Sequence, residues 1–174
     1  LDFHHTMEEY CDAKAILFDN CDVGVYNADD PWHERLLQNA RCPRRFSYAV
    51  HTQADLTAKN VQLHPGSVDF DAEADTEWAQ VHVDTPALFT VYNALDAMAC
   101  CWNLGVPLAE CADALAKSHG VKGRMEIIPT PGKDYTILND YSHKPDALEN
   151  VLQSVKGFAK GRTVVLFGCG GDRD

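Results

Sequence analysis

The sequence contains no apolar run approaching the roughly 20 residues that a membrane-spanning helix requires, and no signal peptide opens it. Positive charge is scarce: 15 Lys and Arg stand against 26 Asp and Glu, a formal net charge of −11. That balance excludes non-specific nucleic-acid binding and attachment to anionic membrane surfaces, while a local basic cluster or a helix N-terminus can still hold an anion. The seven cysteines include no C-x-x-C pair and are odd in number, which excludes a disulfide framework or zinc site and points to a reduced, cytoplasmic protein. Repeats and low-complexity tracts are missing. So is a G-x-x-x-x-G-K-[ST] loop, so nothing in the chain is built to cradle the β- and γ-phosphates of a nucleotide. The glycines Gly168, Gly170 and Gly171 miss the G-x-G-x-x-G spacing of a dinucleotide fingerprint, and His4-His5 lacks the spacing of a metal pair.

What remains is a composition of 45% apolar and 24% charged residues in 174 positions, enough for one large or two small packed domains. Thr6 and Glu9 form a T-x-x-E capping box that opens a helix to about Phe18. Helical spacing predicts a buried stripe of Met7, Tyr10, Cys11, Lys14, Leu17 and Phe18. A lysine inside such a stripe either snorkels to water or is held for a purpose. Asp22–Tyr26 and Phe46–Val50 read as strands, with a helix between them starting at Asp30-Pro31. Leu56–Leu63, Val68–Phe70 and Trp78–Val83 read as an antiparallel patch set into an α/β domain. Leu88–Leu104 is a long buried helix stopped by Gly105, and Pro107 begins another that stops at His119-Gly120.

Pro and Gly punctuation across residues 123–133 marks a domain boundary. Beyond it, Tyr135–Leu138 and Val164–Phe167 read as buried strands flanking an amphipathic helix that starts at Pro145. Two strands joined by a helix predict a right-handed βαβ unit in a parallel sheet. Polar residues collect where each strand ends, which is where open α/β sheets bind ligands. Asp140 and His143 read there either as an acid/base pair or as a turn that caps the next helix. Arg173, between Asp172 and Asp174, is either a bidentate carboxylate binder or a solvated loop charge.

Five strings, in order, carry a resemblance: L-D-F-H-H-T-M-E-E-Y-x-x-A-K-x-x-L-F, N-A-D-D, G-R-M-E, D-Y-S-H-K-P-D-A-L and F-G-C-G-G-D-R-D. Together they resemble the Mur ligases over essentially the whole chain. The resemblance implies the second half of a central ATPase domain, residues 1–125, followed by the start of a Rossmann-like C-terminal domain, residues 126–174. It also implies an ATP- and Mg²⁺-dependent ligase of peptidoglycan synthesis. Such an enzyme activates the D-glutamate side chain of UDP-MurNAc-L-Ala-D-Glu as an acyl phosphate, which the amino group of meso-diaminopimelate or L-lysine then attacks. No nucleic-acid or membrane partner is implied, and the protein is expected to be a cytoplasmic monomer.

The resemblance also assigns roles. Lys14 matches the lysine that CO₂ carbamylates, giving a carboxylate-like ligand for a second Mg²⁺. Asn93 matches an asparagine near adenine, although Ala87 and Thr90 replace the glycine and first asparagine of the usual G-x-F-N-x-x-N. Arg124 and Asp140 match positions near the ATP ribose and phosphates, with His143 beside them, and Arg173 matches the arginine that binds the incoming amino acid's carboxylate. The chain is expected to be a segment of a longer ligase and inactive by itself. Three rivals remain: a non-catalytic nucleotide- or precursor-binding module of the same fold, a related ligase such as folylpolyglutamate or cyanophycin synthetase, and a nicotinamide-dependent Rossmann domain.

Overall fold

A computed structural model describes residues 4–168 and 170. Its centre is a mixed five-stranded sheet in sequence order, β1 (Val23–Asn27), β2 (Arg44–Ala49), β3 (Leu56–Leu63), β4 (Val68–Ala74) and β5 (Glu77–Val83). β1, β2 and β3 run parallel; β3, β4 and β5 are antiparallel. β4 shows why the sheet has one buried face: Val68, Phe70, Ala72 and Ala74 alternate inward along it, and Ala79, Val81 and Val83 do the same along β5.

Two helices cover that face. In α3 (Leu88–Asn103), Val91, Ala94, Leu95, Met98 and Ala99 make the buried stripe; α4 (Leu108–Ala116) adds Leu108, Cys111 and Ala112. The two buried alanines of α3, Ala94 and Ala99, let its backbone approach Leu56 and Phe70, both essentially inaccessible. Among the described residues, no helix is long and apolar enough to cross a membrane.

On the other flank, the capping box of α1 (Met7–Ala15) forms as the sequence predicts: the Glu9 N–H donates to Thr6 Oγ1 at 3.1 Å, and the His5 N–H donates back to the Glu9 carboxylate at 2.9 Å. The predicted stripe does not. Only Cys11, Ala15 and Phe18 are buried, whereas Met7, Tyr10, Lys14 and Leu17 are exposed. After Ala15 the chain tightens into a 3₁₀ turn over Ile16–Asn20, which rotates Leu17 off the α-helical line; Met7, Tyr10 and Lys14 precede that turn and share a solvent-facing side of α1 itself. The short α2 (His33–Asn39) packs beside α1, held by the bidentate pair of Arg35 with Asp12 at 2.9 and 2.7 Å.

The C-terminal stretch departs further from the sequence reading. Glu126–Ile128, taken as a linker, is a strand, β6. It pairs antiparallel with β7 (Ile137–Asn139), and Ile137 is exposed rather than buried. The amphipathic helix α5 (Pro145–Phe158) forms with Pro145 in its first turn. Val164–Phe167 carries no strand and lies open to solvent. Val164–Phe167 does not pair with β7, which is bonded only to β6, so the expected βαβ unit does not form among the described residues.

Two positions on α3 have measurable consequences. Its C-terminus is a Schellman cap: Gly105 at φ +90° donates to Trp102 O at 2.9 Å, and the Val106 N–H donates to Cys101 O at 3.1 Å. A Cβ on Gly105 would meet nothing within 4 Å, so the whole cost of Gly105→Ala is backbone strain. It is expected to lower the unfolding free energy by about 1–2 kcal/mol, read as a lower urea midpoint at unchanged slope. Thr90 has the opposite signature, a buried hydroxyl with no hydrogen-bond partner among the described residues. Thr90→Val is therefore expected to raise stability by about 1 kcal/mol in the same titration.

Candidate nucleotide cleft and its supports

A cleft of about 620 Å³ opens where β5 hands over to α3, between Asp84 and Thr85 on one side and the segment joining α4 to β6 on the other. That joining segment is shaped by left-handed residues. Gly120 at φ +69° lies over Thr85, where a Cβ would come within 3.1 Å of Thr85 Oγ1. Gly123 at φ +74° completes a tight turn, closed by the Arg124 N–H donating to Val121 O at 2.9 Å. Met125 follows at φ +47°, a conformation a non-glycine side chain rarely adopts, and its side chain is buried.

The strained turn is over-determined by the residues after β7. The Met125 N–H donates to Asp140 Oδ2 at 2.8 Å, and the Tyr141 N–H donates to Gly123 O at 2.8 Å. The Gly123 N–H donates to the Glu126 carboxylate at 2.8 Å and the Asn139 side-chain amide adds a bond at 3.1 Å; together these hold the Glu126 carboxyl below its ordinary range. The other Asp140 oxygen accepts from the Ser142 N–H at 2.8 Å and from the Ser142 hydroxyl. Both oxygens of Asp140 are thus occupied in holding two segments together. His143 is turned away from it, with Nδ1 3.0 Å from Tyr141 O.

Three of the six residues singled out from the sequence meet here. Arg124 projects at the cleft, its guanidinium 5.4 Å from the centre of the Tyr141 ring, and the His143 ring lies 5.2 Å from the same ring in an edge-on arrangement. The exposed Tyr141 is therefore flanked by a cation and an imidazole, an open platform with Lys122 and Arg124 to attract an anion.

Two others do not join that cluster. Asn93 is exposed on α3, and Lys14 is exposed on α1 with Nζ 5.4 Å from the centre of the Tyr10 ring. Arg173 lies outside the described residues. At the acidic side of the cleft, Asp84 is 3.1 Å from Nε2 of His82, whose Nδ1 is 2.6 Å from Asp69. Hydrogen bonds to Asp69 and Asp84 favour the imidazolium, raising the His82 pKa above its ordinary value.

Sequence reading missed a second support. Asp29, inside the N-A-D-D string, sits past the end of β1 and accepts from the Val50, His51 and Thr52 N–H groups at 2.7, 2.9 and 2.9 Å. The Thr52 hydroxyl adds a bond at 2.8 Å, and the Tyr92 hydroxyl, one residue before Asn93, donates at 2.9 Å. Partial burial works against the charged form, but the N–H donors of His51 and Val50, with Thr52 and Tyr92, outweigh it and hold the carboxyl far below the carboxylate range. The only sequence signal was an aspartate next to Asp30-Pro31, which also serves a helix start. Ala87, the departure from the usual glycine, is an extended residue at φ −153°, a conformation open to any side chain.

Comparison with known proteins identifies the family of the chain. The profile of the Mur ligase middle domain matches residues 1–101, and that of the Mur ligase, glutamate ligase domain, matches residues 123–174. A UDP-N-acetylmuramoyl-L-alanyl-D-glutamate--2,6-diaminopimelate ligase of Clostridium botulinum is 38% identical over 175 residues, covering 100% of this chain and 36% of that protein. Ligase 1 of that description from Clostridium acetobutylicum is 39% identical, with the same coverage of 100% and 36%. The chain thus spans about a third of the length of these relatives. A solved structure of a ligase with that description superimposes with a TM-score of 0.77 at 29% identity, over 98% of this chain and 36% of that one. MurF from Acinetobacter baumannii shares the fold, with a TM-score of 0.79 at 21% identity over 88% of this chain and 34% of that one.

The Asp29 network predicts a pH signature. Asp29→Asn keeps the shape but removes charge and one acceptor oxygen, and is expected to cost on the order of 2 kcal/mol at neutral pH. A depressed folded pKa stabilises only above the unfolded value, near 4. The difference between wild type and variant in urea unfolding should therefore shrink steadily as the pH falls from about 4 toward 2.

Proposed function

The chain belongs to the Mur ligase family, and from that premise we propose that it is the nucleotide-facing part of an ATP-dependent ligase adding diaminopimelate to UDP-MurNAc-L-Ala-D-Glu. The relatives' specificity favours diaminopimelate over lysine. The observation that carries the reading is the Arg124 turn: a cation held at the lip of a cleft by bonds that Asp140 makes to the backbone on both sides.

In this reading Arg124 and Lys122 meet the anionic part of ATP, with Asp84 and Thr85 on the opposite wall. Asp140 positions Arg124 rather than moving a proton, because both its oxygens are already accepting from Met125 and Ser142. His143 and Tyr141 offer polar and flat aromatic surface to the ribose and base. The reaction is transfer of the terminal phosphoryl group to the D-glutamate side-chain carboxylate, then attack of an amino group on the acyl phosphate with loss of phosphate. Cleft and cluster supply binding and orientation for it.

The residues present do not make a magnesium site by themselves. Among the described residues no three of His, Cys, Asp or Glu converge, and a lysine ammonium is no metal ligand. Lys14 becomes one only as a carbamate. Its exposure leaves the amine open to CO₂, and the capping box and the Asp12–Arg35 pair fix the helix that carries it. Arg173 is assigned to the carboxylate of the incoming amino acid on the motif alone.

The test uses the full-length ligase that carries this chain. ADP release from ATP is expected only with UDP-MurNAc-dipeptide and diaminopimelate together, and the 174-residue chain by itself is expected to release none. Arg124→Ala should raise the ATP KM about tenfold, equivalent to ~1.4 kcal/mol of binding, with a smaller change in kcat. Lys14→Ala should abolish turnover and recover part of it with short carboxylic acids. An unchanged ATP KM in the Arg124 variant would remove the cleft from the nucleotide site, and release without either co-substrate would remove the ligase reading.

A further inference from the structure

The outer face of the sheet carries a chain of ionisable groups that ends at the cleft. Val81 and Val83 point into the core, so His82 between them points out, and Asp69 is turned outward between Val68 and Phe70 in the same way. The antiparallel register sets Asp69 directly opposite His82, where side chains can bond across the strands. His82 Nδ1 lies 2.6 Å from one Asp69 oxygen. The other Asp69 oxygen lies 2.8 Å from Nε2 of His64, whose own N–H closes the turn into β4 by donating to Ser67 O at 2.9 Å. On its far side, His82 Nε2 lies 3.1 Å from Asp84. Asp84 stands in a tight bend, where the Thr85 N–H donates to Val83 O at 2.8 Å. Its carboxylate has no other hydrogen-bond partner among the described residues.

Both ring nitrogens of His82 therefore face carboxylate oxygens. The imidazolium can donate to both, whereas a neutral imidazole has one N–H and can donate to only one. Bonds to Asp69 and then to Asp84 raise the ring's pKa above its ordinary 6.5, against partial burial. The groups that share the groove along His82 add no cation: Asp71 lies beside it on β4, bonded by the Asn60 amide at 2.7 Å, and Asp113 faces it from α4. When the ring loses a proton, the shorter contact with Asp69 keeps the remaining N–H. A lone pair on Nε2 then meets the Asp84 oxygen, and that contact is released. Taking the cleft to be the nucleotide site, we propose that His82 is a positioning residue for Asp84: as imidazolium it neutralises the Asp84 carboxylate and draws it back against the sheet, and as imidazole it leaves that carboxylate facing the phosphates. A free Asp84 opposes the attraction of Lys122 and Arg124, which line the same cleft. The folded pKa is raised, so the restraint is complete below the His82 midpoint and is lost as the pH rises through it.

Two measurements test this. By NMR titration of the imidazole nitrogens in the 174-residue chain, the His82 midpoint should lie above its value in the urea-unfolded chain and fall in Asp84→Asn, and the neutral ring should keep its proton on Nδ1. In the full-length ligase at low ionic strength, the ATP KM should rise about threefold as the pH climbs through that midpoint. His82→Gln should hold the higher KM across the window, with a kcat profile that follows the wild type, and Asp84→Asn should lose the rise. A His82 midpoint indifferent to Asp84, a neutral ring protonated on Nε2, or a wild-type KM profile in His82→Gln would each overturn the proposal. Arg124→Ala separates the two levels. A wild-type ATP KM in that variant removes the nucleotide reading and this proposal together, whereas a raised KM there, beside an unaltered profile in His82→Gln, sinks the proposal alone.

Discussion

The Asp29 carboxylate fastens three pieces of chain that are far apart in sequence: the end of β1, the loop after β2, and the first turns of α3. Backbone N–H groups in that loop have no strand partner, and a buried donor left unpaired costs free energy comparable to a lost hydrogen bond. One half-buried carboxylate takes three of them and the Tyr92 hydroxyl besides. The hydrogen bonds fix the helix in register against the parallel part of the sheet, and the apolar stripe of α3 then settles on Leu56 and Phe70. Without that fixed point the N-terminus of α3, which follows shortly after the cleft residues Asp84 and Thr85, would have only non-directional packing to orient it.

The cleft's other wall follows a different logic. Its turn contains the left-handed residues Gly120, Gly123 and Met125, of which Met125 alone has a side chain whose burial offsets the strain. Asp140 compensates by accepting from Met125, and Glu126 by accepting from Gly123, so electrostatics holds what sterics disfavours. The consequence for Arg124 is positional. It sits between two clamped residues, and its long side chain is the only part left with freedom to adapt to a ligand.

How much of this was legible in the sequence depends on the type of force. β3, β4, β5, α3 and α4 announced themselves because apolar periodicity and Gly or Pro stops encode burial directly. β6 escaped notice because Ile127 and Ile128 are too few to show a period between a Gly-Arg turn and a Pro-Gly turn. The stripe on α1 went wrong at Leu17 because a switch to 3₁₀ winding after Ala15 changes the phase, and at Lys14 because the buried line of α1 runs through Cys11 and Ala15 instead. The cluster of Arg124, Asp140 and His143 was reached through motif resemblance, and its geometry could not have been: Asp140 reads as an acid or a cap until its two oxygens are seen to be spent. Asp29 was invisible for the same reason, since long-range acceptance of backbone N–H groups leaves no pattern along a chain.

The uncovered segment Val164–Phe167 bears on the colloidal behaviour of the polypeptide. Four consecutive apolar residues, two of them β-branched, with Leu166 fully open to water, make a short sticky stretch outside the strands of the described residues. Such a stretch recruits like stretches from neighbouring molecules. The charge of −11 opposes that encounter by mutual repulsion, and salt weakens the repulsion over a range of about 10 Å at 0.1 M. Dispersion of the chain in solution is thus a contest between a local hydrophobic stretch and a global negative field, with ionic strength setting the outcome.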